Sequence, residues 1–129
     1  MDSEIDDDVV EFAHRMFDLA RDGDAATLAA NLAAGLPADL TNHTGDTLLM
    51  LAAYHDHPGA VRVLLEAGAD TGRINDRGQT ALGAAVFRRS AQTVALLLAA
   101  GADPALGSPS AVDVARFFDL PEMLAQLTG

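Results

Sequence analysis

Cysteine is absent from the 129 residues, so neither a disulfide framework nor thiolate chemistry is open to the chain. Lysine is absent too, and every fixed positive side chain is an arginine. Tryptophan is missing and aromatics make up only 5% of the residues, so any core must be built from small side chains. No apolar run approaches the ~18 residues needed to cross a membrane. The opening Met1-Asp2-Ser3-Glu4-Ile5-Asp6-Asp7-Asp8 is acidic where a secretory leader is basic and then apolar, and a cytoplasmic location is expected. The net charge of −11 disfavours nucleic acid, whose binding depends on neutralising phosphates. It disfavours an anionic membrane surface for the same reason. Gly-x-Ser-x-Gly, Gly-x-Gly-x-x-Gly and Walker A spacings do not occur. Ser3, Ser90, Ser108 and Ser110 have no local motif around them. No catalytic centre and no cofactor is expected.

What the chain does contain is a repeat. Asn42 to Asp70 is restated as Asn75 to Asp103, every pair 33 residues apart, with 12 of 29 positions identical. A fixed period of this length marks a stacked repeat architecture. Each copy reads as a turn (Gly45, Gly78), a Thr cap (Thr47, Thr80), a short helix, a second helix and a Gly stop (Gly68, Gly101). Pro58 stands at the start of a second helix, where its missing N–H is harmless. Leu49, Leu51, Ala52 and Ala53 form the buried side of the first helix. Val61, Leu64 and Leu65 bury the second, and Leu65 and Leu98 are expected in the core.

The flanks follow the same phase. Residues 1–7 read as a solvated acidic tail. A helix from Asp8 to Ala20 shows Val9, Phe12, Ala13, Met16, Phe17 and Ala20 at helical spacing. Asp24 can cap a second helix, Ala25 to Ala34, stopped by Gly35. At the other end Ser110 follows Thr80 by 30 residues rather than 33, so the connection Pro104 to Pro109 should make a blunted turn. The expected divisions are an N-terminal capping unit (8–41), two central units (42–74 and 75–107) and a C-terminal capping unit (108–129).

Gly45-x-Thr47-x-Leu49-x-x-Ala52-Ala53, followed by Val61-x-x-Leu64-Leu65-x-x-Gly68-Ala69-Asp70, closely resembles the ankyrin repeat. The resemblance implies an all-α solenoid of about four helix-turn-helix units with short hairpin-like connections. The Pro of the family's Thr-Pro-Leu-His is Leu48 and Ala81 here. Its His is Met50 and Gly83, and Asp113 in the last unit.

Ankyrin-like stacks present a concave face made by the turn tips and the outer side of each first helix. That implies outward positions for His43, Thr44 and Asp46, then Arg73, Asp76, Arg77 and Gln79. On the helices it implies Tyr54 and His55, Phe87 and Arg88, Phe117 and Phe118. Tyr54, Phe87 and Phe117 hold the same place in successive units and should form a row. Such rings either grip a partner or fold over one another to cover the repeat junctions. Arg73, Arg77, Arg88 and Arg89 either receive an acidic or C-terminal carboxylate or stand solvated or paired with Asp76 and Asp56. His55-Asp56-His57 invites a metal, but alternating residues at a turn point apart, and zinc needs three or four convergent ligands. Only His43 and Asp46, reaching across to His55, would strengthen it. Repeat stacks lack a deep pocket. The expected function is therefore non-catalytic binding of a partner protein or peptide on the concave face, as adaptor or regulator. Self-association through Phe117-Phe118 is the alternative, against a monomer as the default.

Overall fold

The chain folds as four helix hairpins in a computed structural model that describes the backbone of residues 3–129 and the side chains from Asp7 onward. Met1 and Asp2 of the acidic tail lie outside the described residues. Helices α1 (Ser3–Asp22) and α2 (Ala25–Ala33) make the first hairpin, α3 (Leu48–Tyr54) and α4 (Pro58–Glu66) the second. Then come α5 (Ala81–Phe87) with α6 (Ala91–Ala99), and α7 (Ala111–Phe117) with α8 (Pro121–Thr128). Helices α1, α3, α5 and α7 stack in one layer, and α2, α4, α6 and α8 in another. Among the described residues there is no strand, only isolated bridges at Thr41–Thr47 and Gly107–Ser110. The architecture is an all-α solenoid. Among the described residues, no helix is long and apolar enough to cross a membrane.

Local chemistry sets the helix ends. The Thr47 and Thr80 hydroxyls accept the Met50 and Gly83 N–H groups, each at 3.1 Å. Ser110 does the same for Asp113, whose carboxylate accepts the Ser110 N–H at 3.0 Å, closing a reciprocal capping box. Asp113 thus starts a helix. Pro58 and Pro121 occupy first-turn positions. The last turn is blunted as expected: two residues separate Gly107 from Ser110, against five between Thr41 and Thr47.

Within each hairpin one residue takes a left-handed backbone: Gly23, Asp56, Arg89 and Asp119, at φ 78°, 58°, 57° and 53°. At Gly23 a side chain is also sterically barred, because a Cβ would run into the His57 ring. That ring is held there by its Nε2, 2.7 Å from the Arg21 carbonyl oxygen. A carbonyl only accepts, so Nε2 carries the proton. His57 therefore joins the first hairpin to the second.

The core runs between the layers. Leu28, Leu49, Leu64, Leu82 and Leu97 are buried, and Ala20, Ala52, Ala53, Ala85 and Ala115 let neighbouring helices close. Three expectations change. In the Leu64-Leu65 and Leu97-Leu98 pairs the first leucine is fully buried, while Leu65 and Leu98 are only half-buried. Helix α1 begins at Ser3 instead of Asp8. Val9 is 62% exposed and Phe12 38%, and burial starts only at Met16. Helix α3, on which α1 stacks, has seven residues, so it covers only part of the twenty in α1.

Candidate functional site

The turn tips and the first-helix layer enclose a groove of about 500 Å³, where no pocket is expected from the repeat pattern. Of the expected residues, Asp46, Tyr54, His55, Arg77, Gln79, Phe87 and Phe118 line it. Met50, Asn75, Gly83 and Pro109 line it too and were not anticipated. Thr44, Arg73, Asp76, Arg88 and Phe117 are not part of the lining. His43 belongs to a separate hollow of about 430 Å³ against Val10, His14 and Phe17 of α1.

Aromatic rings run continuously across the groove. Tyr54 and Phe87 stack at 6.0 Å and 10° between planes. Phe87 meets Phe118 edge-on at 5.7 Å. His55 continues the chain of rings from Tyr54 at 5.2 Å, and Phe117 from Phe118 at 4.9 Å. The third ring of the row is therefore Phe118, a correction to Phe117. Tyr54, Phe87 and Phe117 are each the last residue of their helix. Equal position along a helix does not fix which side chain meets the next unit. The rings bridge the repeat junctions and still expose 45%, 46% and 39% of Tyr54, Phe87 and Phe118.

The turn tips are held by two asparagines. Asn42 Oδ1 accepts the Thr44 and Asp46 N–H groups at 3.0 and 2.9 Å. Asn75 Oδ1 accepts those of Arg77 and Gln79 at the same distances. Asn75 Nδ2 donates to Gln79 Oε1 at 3.0 Å and to Asp46 Oδ1 at 2.8 Å, tying one turn to the next. Thr44 Oγ1 donates to Asp46 Oδ2 at 2.9 Å. Both asparagines open their repeat and recur at the period, a signal that could have identified them.

Burial pushes the Asp46 carboxyl up, but hydrogen bonds from Asn75, Thr44 and Asn42, with the Arg77 charge, outweigh it. They hold Asp46 below the ordinary aspartate value of 3.8. The Ser110 backbone N–H and then its hydroxyl hold Asp113 low as well. Both groups bind protons more weakly in the folded chain than in the unfolded one. Their stabilisation is complete above the unfolded value and is lost as pH falls through the folded one. Urea midpoints should therefore drop on acidification below about pH 5. The drop should be shallower for Asp46→Asn, and parallel curves for the two proteins would exclude the assignment.

The arginines divide. Arg73 pairs with Asp70 at 3.4 Å and Asp39 at 3.9 Å, rather than with Asp76 or Asp56. Among the described residues no carboxylate lies within ion-pair distance of Arg77, Arg88 or Arg89. The Arg89 guanidinium lies over the Phe118 ring at 5.9 Å. Burial first, then the charges of His57, Arg21 and Arg88, lower the His55 pKa from 6.5 against the pull of Asp22. His55 faces the groove while His57 faces Arg21, so the two rings diverge. His43 stands in the other hollow. No group of three or more His, Asp or Glu is placed to hold a metal among the described residues.

The comparisons with known proteins match this geometry. A family model described as ankyrin repeats, in three copies, matches residues 16–107, well over half of the chain. The chain belongs to the ankyrin repeat family. It is also similar to a Pseudomonas aeruginosa protein named as an ankyrin repeat protein, at 52% identity over 60 residues. That match covers 46% of this chain and 35% of the relative, so the chain spans about a third of its length. Ankyrin repeats are generally protein–protein interaction modules and generally non-catalytic. The ankyrin motif His position is filled by Met50, Gly83 and Asp113. Each lies at the third helical position, where its backbone N–H bonds the capping hydroxyl.

Proposed function

We propose that this ankyrin domain binds a segment of a partner protein in the groove between its turn tips and first helices, as an adaptor or regulator. The observation that carries the proposal is the row Tyr54, Phe87 and Phe118. These rings are preorganised by contact with one another and still exposed, and aromatic anchors beside arginine dominate interface energies. The turn tips are rigidified by Asn42 and Asn75, which lowers the ordering cost of binding. Tyr54 is the only tyrosine and there is no tryptophan, so intrinsic fluorescence reports on the groove itself. Capture from a bacterial lysate should yield a partner on wild type that Phe87→Ala/Phe118→Ala loses while keeping its helical circular dichroism. The isolated partner should perturb Tyr54 emission. Equal capture by both proteins would move the site off the groove.

A second reading has one observation in its favour. Phe117 is 81% exposed, the most exposed large apolar side chain described. If it pairs two copies, sedimentation velocity should show a dimer that Phe117→Ser dissociates. A wild-type monomer at all concentrations removes this alternative.

A further inference from the structure

Gly83 is an anomaly of the fold. It lies inside the seven-residue helix α5, where glycine lowers helix stability relative to alanine. A Cβ built there would meet only Thr80 Oγ1, at 3.4 Å, so the packing admits alanine. The equivalent place one repeat earlier holds the buried side chain of Met50. Gly83 is itself buried and lines the groove. Stability does not account for glycine here, whereas depth does, since any larger side chain would take up space in the groove.

The charges around the groove point to what enters. The chain carries a net −11, yet Arg77 lines the groove without an ion-pair partner among the described residues. Arg89 covers one of its rings. The acid in the lining, Asp46, has both carboxylate oxygens occupied by neutral donors: Asn75 on one, Thr44 and Asn42 on the other. Its hydrogen bonds in the turn come from neutral groups, and Arg77 acts on it only as a nearby charge, outside ion-pair distance, so the planar guanidinium keeps its donors available to a carboxylate. The groove volume of about 500 Å³ suits a short stretch of side chains.

We propose that the groove receives an acidic segment of the partner polypeptide, with one large apolar side chain seated over Gly83 beside the aromatic row and a neighbouring Asp or Glu carboxylate paired with Arg77. This rests on the groove being the partner-binding surface. It makes Gly83 and Arg77 the residues that set specificity, one for size and one for charge.

The probe is a set of end-capped, fluorescently labelled synthetic peptides, each with one Leu, Met or Phe flanked by Glu. A twin set has Gln in place of Glu. Anisotropy titrations with wild type should show the Glu peptides binding about tenfold more tightly than their twins. Arg77→Gln should abolish that ratio. Gly83→Ala should weaken the Glu peptides about tenfold while raising the thermal midpoint by about 3 °C, a combination that a purely structural role would not produce. Equal binding of Glu and Gln peptides, unchanged affinity in Gly83→Ala, or no binding of any peptide would each overturn the inference. Phe87→Ala separates the two levels. Peptide binding lost in Phe87→Ala but indifferent to Arg77→Gln and Gly83→Ala keeps the groove and removes the specificity claim. Binding that survives Phe87→Ala removes the groove as well.

Discussion

Truncating Leu97 to alanine should destabilise the chain by about 2–5 kcal/mol, the range for a fully buried leucine whose surroundings relax only in part. Leu97 is 0% exposed, in the last turn of α6. That helix packs on α5 in its own hairpin, on α4 before it and on α8 after it. In a repeat stack each unit contacts only its neighbours, so stability is shared among a few interfaces. One truncation at α6 weakens the contacts on both sides. The neighbouring Leu98 is half-buried, and Leu98→Ala should cost distinctly less. Urea unfolding with unchanged m-values checks both, because the midpoint then reports stability alone. Equal losses at Leu97 and Leu98, or a larger loss at Leu98, would contradict the burial of the first leucine of the pair over the second.

Asn75→Ala should cost about 2–4 kcal/mol, because it removes several buried hydrogen bonds at once. Asn75 is 8% exposed and makes four hydrogen bonds, two accepted and two donated. Alanine would leave the Arg77 and Gln79 N–H groups and one Asp46 oxygen without their partner. Asn75→Asp is the sharper test. It keeps the acceptor oxygen but sets a second carboxylate against Asp46. Like charges raise a carboxylate pKa, so a group raised in the folded state favours folding at low pH and loses that advantage as pH rises. Asn75→Asp should therefore be least damaging near pH 3 and increasingly damaging up to neutrality, opposite in sign to the wild-type acid response. The urea midpoint against pH for both variants decides it. A flat Asn75→Asp difference would break the link between the two turns. Because Asn75 also lines the groove, these variants should weaken partner binding along with stability.

Much of the architecture was legible from residues alone, and the reason is distance along the chain. Thr47, Thr80 and Asp24 cap helices that begin at the next residue. Gly68 and Gly101 end helices two residues before them. Pro58 starts one. These choices involve a few neighbouring residues, and the 33-residue period makes each unit a copy of the last. Stacking then follows, because one hairpin cannot bury its own apolar face.

What passes between units was decided only in three dimensions. Which leucine of Leu64-Leu65 points inward depends on how α4 is rotated against α2 and α6. Whether Phe117 or Phe118 meets Phe87 depends on how α7 is set against α5. Arg73 finds Asp39 and Asp70, Asn75 finds Asp46, and His57 finds Arg21, the last across 36 residues. The sequence by itself determined the period, the caps and the stops, because each is settled within a turn or two of backbone. The tertiary structure decided the groove, its aromatic row and an arginine with no ion-pair partner among the described residues, because those depend on how one repeat is set against the next.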